Sequence, residues 1–345
     1  MREQRHSPAS RITHQEKRNN YVFGFPRLVA YFRRTMETVR RAVIDVGTNS
    51  IKLLVADVRG RDVQPVHEES RQTRLGKGFY ETRRLQPESI ARTAEAVWEF
   101  GEVAREKSAA SVRVIATSAA RDALNPRDLT NAIERASGLK TEIISGAREA
   151  DWAFQGVATD AELSPKPLLL LDVGGGSTEF ILGHGAKKSF AHSFPLGTVR
   201  LLEKFPHSDP PTQGEFTKCR DWLENFLHHE VRPQLEPALN KEAGEIQLVG
   251  TGGTSSILAR VEKKLDRFDR EKIERAVLSF DQVVAHRKHL WRLPLVRRKE
   301  IPGLPKLRAD VILTGVLIYE IVMEEFGFQQ LRVSTRGLRF AAVMD

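Results

Sequence analysis

The chain has 345 residues, of which 40% are hydrophobic and 29% charged, and this composition predicts a globular protein of two domains. The single cysteine excludes an internal disulfide, and no apolar run reaches the roughly 20 residues of a membrane span, so a cytoplasmic protein without a membrane partner is predicted. Residues 1–35 carry a net charge of +6, out of +9 for the whole chain. We therefore expect a basic N-terminal extension over 1–40 that is disordered and binds no specific nucleic acid.

The next part of the chain is predicted to be a mixed α/β unit. Apolar runs and periodic apolar positions give three strands, a helix, a strand, a helix and a strand. The predicted strands are 42–46, 51–58, 63–73, 112–116 and 141–144. The predicted helices are one that begins at Pro87 and one at 126–136. The basic loop at 74–78 either covers a phosphate site or only links two elements. Arg121 follows a strand and either grips phosphate oxygens or forms a surface ion pair. A helix at 147–154 carries Glu149 in its first turn, where an acid also suits the helix dipole.

Two glycine hairpins with acids at their tips stand 127 residues apart. One is Asp45-Val-Gly-Thr-Asn-Ser50 and the other is Asp172-Val-Gly-Gly-Gly-Ser-Thr-Glu179, each between apolar strands. Glycines let backbone amides approach a ligand closely, hydroxyl groups add donors, and carboxylates hold a hard cation. Either segment alone is compatible with an ordinary glycine hairpin. The repeat, however, predicts two similar halves whose hairpins face each other across a phosphate-binding cleft.

The rest of the chain repeats the strand plan to about Phe194 and then becomes mainly helical. A short strand at 246–249 opens into Gly250-Thr-Gly-Gly-Thr254 and a helix, a geometry that leaves unpaired amides for an anion. We expect the mixed-charge stretch 261–275 to be a solvated surface segment. There is neither a Gly-x-x-x-x-Gly-Lys-Ser/Thr motif nor a zinc-binding pattern. The remaining predicted elements are helices at 199–205, 212–231, 307–326 and 335–343 and a strand at 331–333.

Six segments occur together and in order: Asp45 to Ser50, Ala116-Thr-Ser-Ala-Ala-Arg121, Glu142-Ile-Ile-Ser-Gly146 with Glu149, Asp172 to Glu179, Gly250 to Thr254, and Arg308-Ala-Asp310. Over about 41–343 the chain thereby resembles the exopolyphosphatase and guanosine pentaphosphate phosphohydrolase family, Ppx/GppA, of the actin, sugar kinase and heat-shock chaperone superfamily. The resemblance implies an α/β fold of two ribonuclease-H-like (actin-like ATPase) domains, with mixed sheets flanked by helices and the active site in the interdomain cleft. We assign these domains to 41–160 and 161–345.

The resemblance also implies roles for individual residues. Glu149 matches the catalytic glutamate that orients and deprotonates water, and Arg121 matches a catalytic arginine that grips phosphate. Mg²⁺ is the implied cofactor, with Asp172 and Glu179 as acids of its site. The implied phosphate-binding residues are Asp45, Gly47, Thr48, Asn49, Ser50, Gly174, Gly175, Gly176, Ser177, Thr178, Gly252, Gly253 and Thr254.

The sequence departs from the family pattern at three places. Thr48 replaces a frequent serine and keeps the hydroxyl group. Arg148 introduces a positive charge before Glu149, which can alter the pKa of the base. No long helical module follows Phe340, so we expect weaker binding of long polyphosphate than in the longer members.

The leading hypothesis is hydrolysis of a terminal phosphoanhydride, with inorganic polyphosphate or guanosine pentaphosphate as the partner substrate. The sequence does not choose between these two, because both present the same terminal bond. A phosphotransferase of the sugar-kinase type and a non-catalytic phosphate or nucleotide sensor are the alternatives. A homodimer is also considered.

Overall fold

The strand that ends at the tip of the first hairpin is the centre of a mixed sheet. The computed structural model describes residues 37–345, and its first sheet has the strand order β3-β2-β1-β4-β5. Strand β1 is antiparallel to β2 and parallel to β4, because a four-residue turn joins β1 to β2 whereas a long crossover joins β3 to β4. The strands are β1 (Val39–Val46), β2 (Ile51–Arg59), β3 (Asp62–Arg71), β4 (Ser111–Ala116) and β5 (Thr141–Ile143).

The second sheet repeats this plan and adds one strand. Its strands are β6 (Leu168–Val173), β7 (Thr178–His184), β8 (Lys187–Phe194), β9 (Gln247–Thr251), β10 (Val277–Ser279) and β11 (Gln330–Val333). The order is β10-β11-β9-β6-β7-β8, with β6 antiparallel to β7 and parallel to β9. When β10 is left out, the order of the strands around β6 is the same as the order of the strands around β1. The two similar halves predicted from the repeated hairpin are therefore confirmed.

Helices flank both sheets, as predicted. They are α1 (Phe79–Thr82), α2 (Pro87–Glu106), α3 (Ser118–Asp122), α4 (Pro126–Ser137), α5 (Gly146–Val157), α6 (Thr198–Lys204), α7 (Gln213–Phe226), α8 (Arg232–Leu239), α9 (Gly252–Glu262), α10 (Arg270–Ile273), α11 (Phe280–Arg292), α12 (Leu295–Arg298), α13 (Ile312–Phe326) and α14 (Leu338–Ala342). A π-helical turn joins α7 to α8, and a 3-10 turn precedes α13. No helix within 37–345 is both long enough and apolar enough to cross a membrane.

Each sheet has its own apolar core. We call residues 39–144 the first lobe and residues 168–333 the second lobe. In the first lobe, α2 packs an apolar side that includes Ile90, Val97 and Phe100 against the sheet. In the second lobe, α13 is buried continuously from Ile312 to Met323, which is typical of a helix at the centre of a core.

Helices α5 and α14 lie between the lobes and pack on each other. Trp152 of α5 and Phe340 of α14 pack with the first sheet, whereas Phe154 of α5 packs with the second. Residues 38–345 consequently form one compact unit. The domain ranges 41–160 and 161–345 stay a prediction, and the predicted extension lies outside the described residues apart from its last four.

Two predicted helices are shorter in the structure. The helix expected at 307–326 begins at Ile312, after a 3-10 turn that follows Pro305. The terminal helix expected at 335–343 begins at Leu338. Strand β10 and helix α11 were not predicted, although Ser279 and Gln282 form a capping box that marks the start of α11.

Most of the stretch 261–275 lies at the surface, as predicted, but Arg270 and Ile273 make inward contacts. Ile273 is fully buried in the core of the second lobe. Arg270 donates to the carboxylate of Glu68 on β3, at 2.9 Å from Nε. The mixed charges in this stretch therefore belong partly to a contact between the lobes.

Candidate active site

The tips of the two repeated hairpins have the same turn. The N–H of Gly47 donates to the carbonyl of Ser50 at 3.1 Å, and the N–H of Gly174 donates to the carbonyl of Ser177 at 3.0 Å. We call residues 47–50 the first loop and residues 174–177 the second loop. In both, one internal hydrogen bond closes the turn between the antiparallel strands.

The two loops touch each other across the cleft between the lobes. A Cβ atom added to Gly175 would lie 2.9 Å from the Cβ of Thr48. One added to Gly176 would come within 3.0 Å of the Thr48 hydroxyl oxygen. Glycine is required here because the opposite loop leaves no room for a side chain.

A cavity lies beside this contact. It is lined by the first loop, the second loop, the start of α5 and the start of α9. The predicted site residues on its wall are Asp45, Gly47, Thr48, Asn49, Ser50, Glu149, Asp172, Gly174, Gly175, Gly176, Ser177, Glu179 and Gly253. The fold thus brings together residues that are up to 208 positions apart in the chain.

Glu149 reaches the cavity from the first turn of α5. Ser145 caps this helix by accepting the N–H of Arg148 at 3.2 Å. Glu149 is 8% exposed, and its Oε2 accepts a 2.8 Å hydrogen bond from Nη1 of Arg121. Burial raises the pKa of Glu149 to about 7, although the charge of Arg121 acts in the opposite direction. A carboxyl group that titrates near neutral pH is suited to accept a proton from water.

Three further carboxyl groups line the same cavity. Desolvation raises the pKa of Asp45, Asp172 and Glu179 above their ordinary values, and nearby Glu149 adds to the rise for Glu179. Ser193 donates its hydroxyl to Oε1 of Glu179 at 2.7 Å. Oδ1 of Asp45 is buried and has no hydrogen-bond partner among the described residues. The site therefore holds an excess of acceptor oxygens that a cation or a donor from a ligand would satisfy.

The described residues contain no cluster of three or more His, Cys, Asp or Glu side chains arranged to hold a metal. Magnesium commonly uses only one or two protein carboxylates and takes its other ligands from water and substrate phosphates. The acids on the cavity wall fit that mode of binding, and the free Oδ1 of Asp45 is the observation that favours it.

Four predicted residues lie beside the cavity instead of on its wall. Thr178 donates its hydroxyl to the carbonyl of Leu196 at 2.6 Å, and Thr254 directs its hydroxyl to the carbonyl of Val173 at 3.5 Å. Gly252 lines an adjoining cavity on the other side of Asp172. Arg121 does not line the cavity, but it forms an ion pair with Glu149, which does.

Lys52 lines the cavity and was missed by the sequence analysis. It pairs with Asp45 across the β1–β2 hairpin, which is the position that Glu179 holds opposite Asp172 in the other hairpin. The spacing from acid to partner is seven residues in both hairpins. Aligning the two repeats position by position would have found Lys52.

Arg308 also lines the cavity and was not predicted as a site residue. It comes from the second lobe, and its Nη2 donates to the hydroxyl of Ser50 in the first loop at 2.7 Å. Burial lowers the pKa of Arg308 to about 10, so the guanidinium remains charged at neutral pH. The motif Arg308-Ala-Asp310 was recognised in the sequence, but no local signal placed it against the first loop.

The two repeated sheets, with a cavity between paired glycine-bearing loops, define a two-lobed protein of the actin-like class. Residues 54–344 match the Ppx/GppA phosphatase family. Exopolyphosphatase 2 of Mycobacterium tuberculosis is 36% identical over an alignment of 321 positions, and the alignment covers 88% of this chain and 97% of that protein.

Solved structures give the same assignment. The Ppx/GppA family member of Aquifex aeolicus is similar with a TM-score of 0.72 and 31% identity, over 89% of this chain and 97% of that chain. An exopolyphosphatase from Cytophaga hutchinsonii is similar with a TM-score of 0.78 and 30% identity, over 88% and 96%. The chain belongs to the Ppx/GppA phosphatase family. The predicted fold and the predicted enzyme class, a phosphoanhydride hydrolase, are confirmed.

Proposed function

We propose that this enzyme removes the terminal phosphate from inorganic polyphosphate, and that guanosine pentaphosphate is its second candidate substrate. The observation that carries the proposal is the position of Glu149, a buried acid on the wall of a cavity formed by two glycine-bearing loops. The similarity to the exopolyphosphatases of M. tuberculosis and C. hutchinsonii supports polyphosphate as the first choice.

In the proposed reaction, the backbone amides of both loops donate to the non-bridging oxygens of the terminal phosphoryl group. Arg308 adds positive charge on the same wall, and Lys52 lies there too, although burial lowers the pKa of its ammonium group. Glu149 accepts a proton from a water molecule, whose oxygen forms the new bond to phosphorus while the bridging P–O bond breaks. The electron pair of that bond stays on the departing chain, which is one phosphate shorter. Arg121 holds the Glu149 carboxylate and offers its remaining N–H groups to phosphate oxygens.

Magnesium is proposed as the cofactor, with Asp172 and Glu179 as the acids that hold it and the free oxygen of Asp45 nearby on the same wall. When bound, the ion would offset part of the negative charge of the phosphate chain. A cytoplasmic location is proposed as well, because the only cysteine, Cys219, is buried and free. The homodimer stays a prediction.

The test is a substrate panel of long polyphosphate, tripolyphosphate, guanosine pentaphosphate, and ATP with sugars, each with Mg²⁺ and with EDTA. Wild type should release phosphate from polyphosphate with Mg²⁺. Glu149→Gln should lower kcat about 10²- to 10⁴-fold while KM stays within a few-fold, because a positioned base contributes about that much. Glu142→Gln, an exposed glutamate on β5, is the matched control and should retain activity.

Each other outcome selects a different function. If the enzyme releases phosphate from guanosine pentaphosphate alone, that nucleotide is the substrate and polyphosphate is not. Sugar-dependent consumption of ATP would identify a phosphotransferase. Tight binding of these phosphates without turnover, unaffected by Glu149→Gln, would identify a sensor.

A further inference from the structure

Helix α6 donates hydrogen bonds to the carbonyl groups of all three glycines in the second loop. The N–H groups of Thr198 and Val199 donate to the carbonyls of Gly174 at 3.0 Å and Gly175 at 2.8 Å. Nε of Arg200 donates to the carbonyl of Gly176 at 2.8 Å. In a trans peptide the C=O and the following N–H point in opposite directions. The amides of residues 175–177 therefore point away from α6, and these residues lie on the cavity wall.

The same helix also reaches across to the first lobe. The carboxylate of Glu203 accepts the N–H groups of Gly78 at 2.7 Å and Tyr80 at 3.1 Å. The guanidinium of Arg200 lies 4.3 Å from the centre of the Tyr80 ring, and its Nη2 donates to Asp122 at 3.3 Å. Arg200 and Glu203 are thus the two side chains of α6 that hold the segment around α1.

That segment is in turn bonded to the first loop. The N–H of Arg74 donates to the carbonyl of Asn49 at 3.0 Å, and the N–H of Gly76 donates to the carbonyl of Thr48 at 2.7 Å. A continuous series of hydrogen bonds consequently runs from the second loop through α6 and residues 74–80 to the first loop. The backbone of the basic loop at 74–78 therefore supports the first loop on the cavity wall.

We propose that Arg200 and Glu203 are positioning residues that set the distance and orientation between the two loops. The inference rests on the proposed function, since it concerns the same cavity, but neither side chain lines that cavity. Donors that stabilise a transferred phosphoryl group act best when they are held in place before the reaction. Arg200 holds the donors of the second loop in place because it joins Gly176 of the second lobe to Asp122 and Tyr80 of the first lobe.

The activity test compares two variants on the same helix, Arg200→Met and Lys204→Met. Both replace a cation that lies over an aromatic ring, because Lys204 lies 4.5 Å from the ring centre of Trp222. We expect Arg200→Met to lower kcat for polyphosphate about 10- to 100-fold with KM within about threefold, since small misplacements of catalytic groups have effects of that size. For Lys204→Met, kcat and KM should both stay within about twofold of the wild-type values.

A second readout does not depend on turnover. Amide hydrogen exchange of residues 76–82 should be faster in Glu203→Ala than in Lys204→Met, because the Gly78 and Tyr80 amides lose their acceptor. It should also be faster in Arg200→Met, because the Tyr80 ring loses the guanidinium that packs on it. Arg200→Lys keeps the charge without the planar fork and should show an intermediate effect, which keeps the test valid if Arg200→Met folds poorly. Equal exchange in Arg200→Met and Lys204→Met, or equal kcat, would overturn the proposal. If wild type releases no phosphate, the proposed function fails, and the exchange comparison still decides the positioning role.

Discussion

At the scale of single residues, the chemistry of the site depends on Glu149 and on what surrounds it. Burial disfavours the carboxylate, and the ion pair with Arg121 favours it. Burial has the larger effect, so the pKa lies near 7 instead of near its ordinary 4.5. The result is a carboxyl group that is partly ionised at neutral pH and is still held in a fixed direction by its arginine.

The first prediction concerns pH. Because the proposed mechanism needs ionised Glu149, kcat/KM for polyphosphate should fall as the pH drops below about 7. Arg121→Gln should move this acid limb to higher pH, because the positive charge that favours the carboxylate is gone. The measurement is phosphate release between pH 5 and pH 9 for wild type and variant. An acid limb that does not move in Arg121→Gln would mean that a different group titrates.

The elements that matter most are the two hairpins, because their glycines set how closely the lobes approach. At Gly176 three hydroxyl oxygens, from Thr48, Tyr80 and Ser118, converge on the place where a Cβ atom would be. The hydroxyls of Tyr80 and Ser118 are buried and have no hydrogen-bond partner among the described residues. The second loop is therefore packed closely against the first lobe at Gly176.

The second prediction is that Gly176→Ala pushes the loops apart. A methyl group there must displace at least one of these side chains, and overpacking of this kind costs about 1–3 kcal/mol. We expect kcat/KM for polyphosphate to fall about tenfold or more. Gly214→Ala on α7 is the control, since no atom lies within 4 Å of its added Cβ. Equal activities of the two variants would show that the contact of the loops is not needed.

On the scale of the whole molecule, several polar contacts join the lobes outside the cavity. Glu68 of β3 accepts hydrogen bonds from Arg270 of α10 and from Arg339 of α14, at 2.9 Å and 3.3 Å. Arg74 forms an ion pair with Asp310 at 2.9 Å near the point where Arg308 meets Ser50. These contacts hold the loops against each other.

The third prediction tests one of these contacts. Glu68→Gln should lower the free energy of unfolding by about 2 kcal/mol, because it weakens hydrogen bonds from two largely buried arginines. Glu300→Gln, which removes an exposed surface ion pair with Arg297, should change it by about 0.5 kcal/mol or less. Urea denaturation of both variants is the measurement. A loss for Glu68→Gln no larger than that for Glu300→Gln would contradict the role of Glu68 as a link between the lobes.

The sequence by itself determined the repeat, the acid-tipped hairpins and the position of Glu149 in the first turn of a helix. These features are local, because strands, glycine turns and helix starts leave patterns within about ten residues. From them the two mixed sheets and most of the cavity wall followed, down to Asp45, Asp172 and Glu179. The family resemblance depended on the same local motifs.

Only the tertiary structure decided which side chains meet across the cleft. Arg308 belongs to the site because the turn before α13 brings it to the cavity wall, whereas an alignment of the two hairpins would already have indicated Lys52. Thr178 and Thr254 carry suitable hydroxyls but use them on main-chain carbonyls nearby. The direction in which a side chain points, and the pKa of Glu149, depend on burial and on neighbours that are distant in the chain. Packing between the lobes determines both the direction of the side chain and the pKa, and no local sequence pattern indicates this packing.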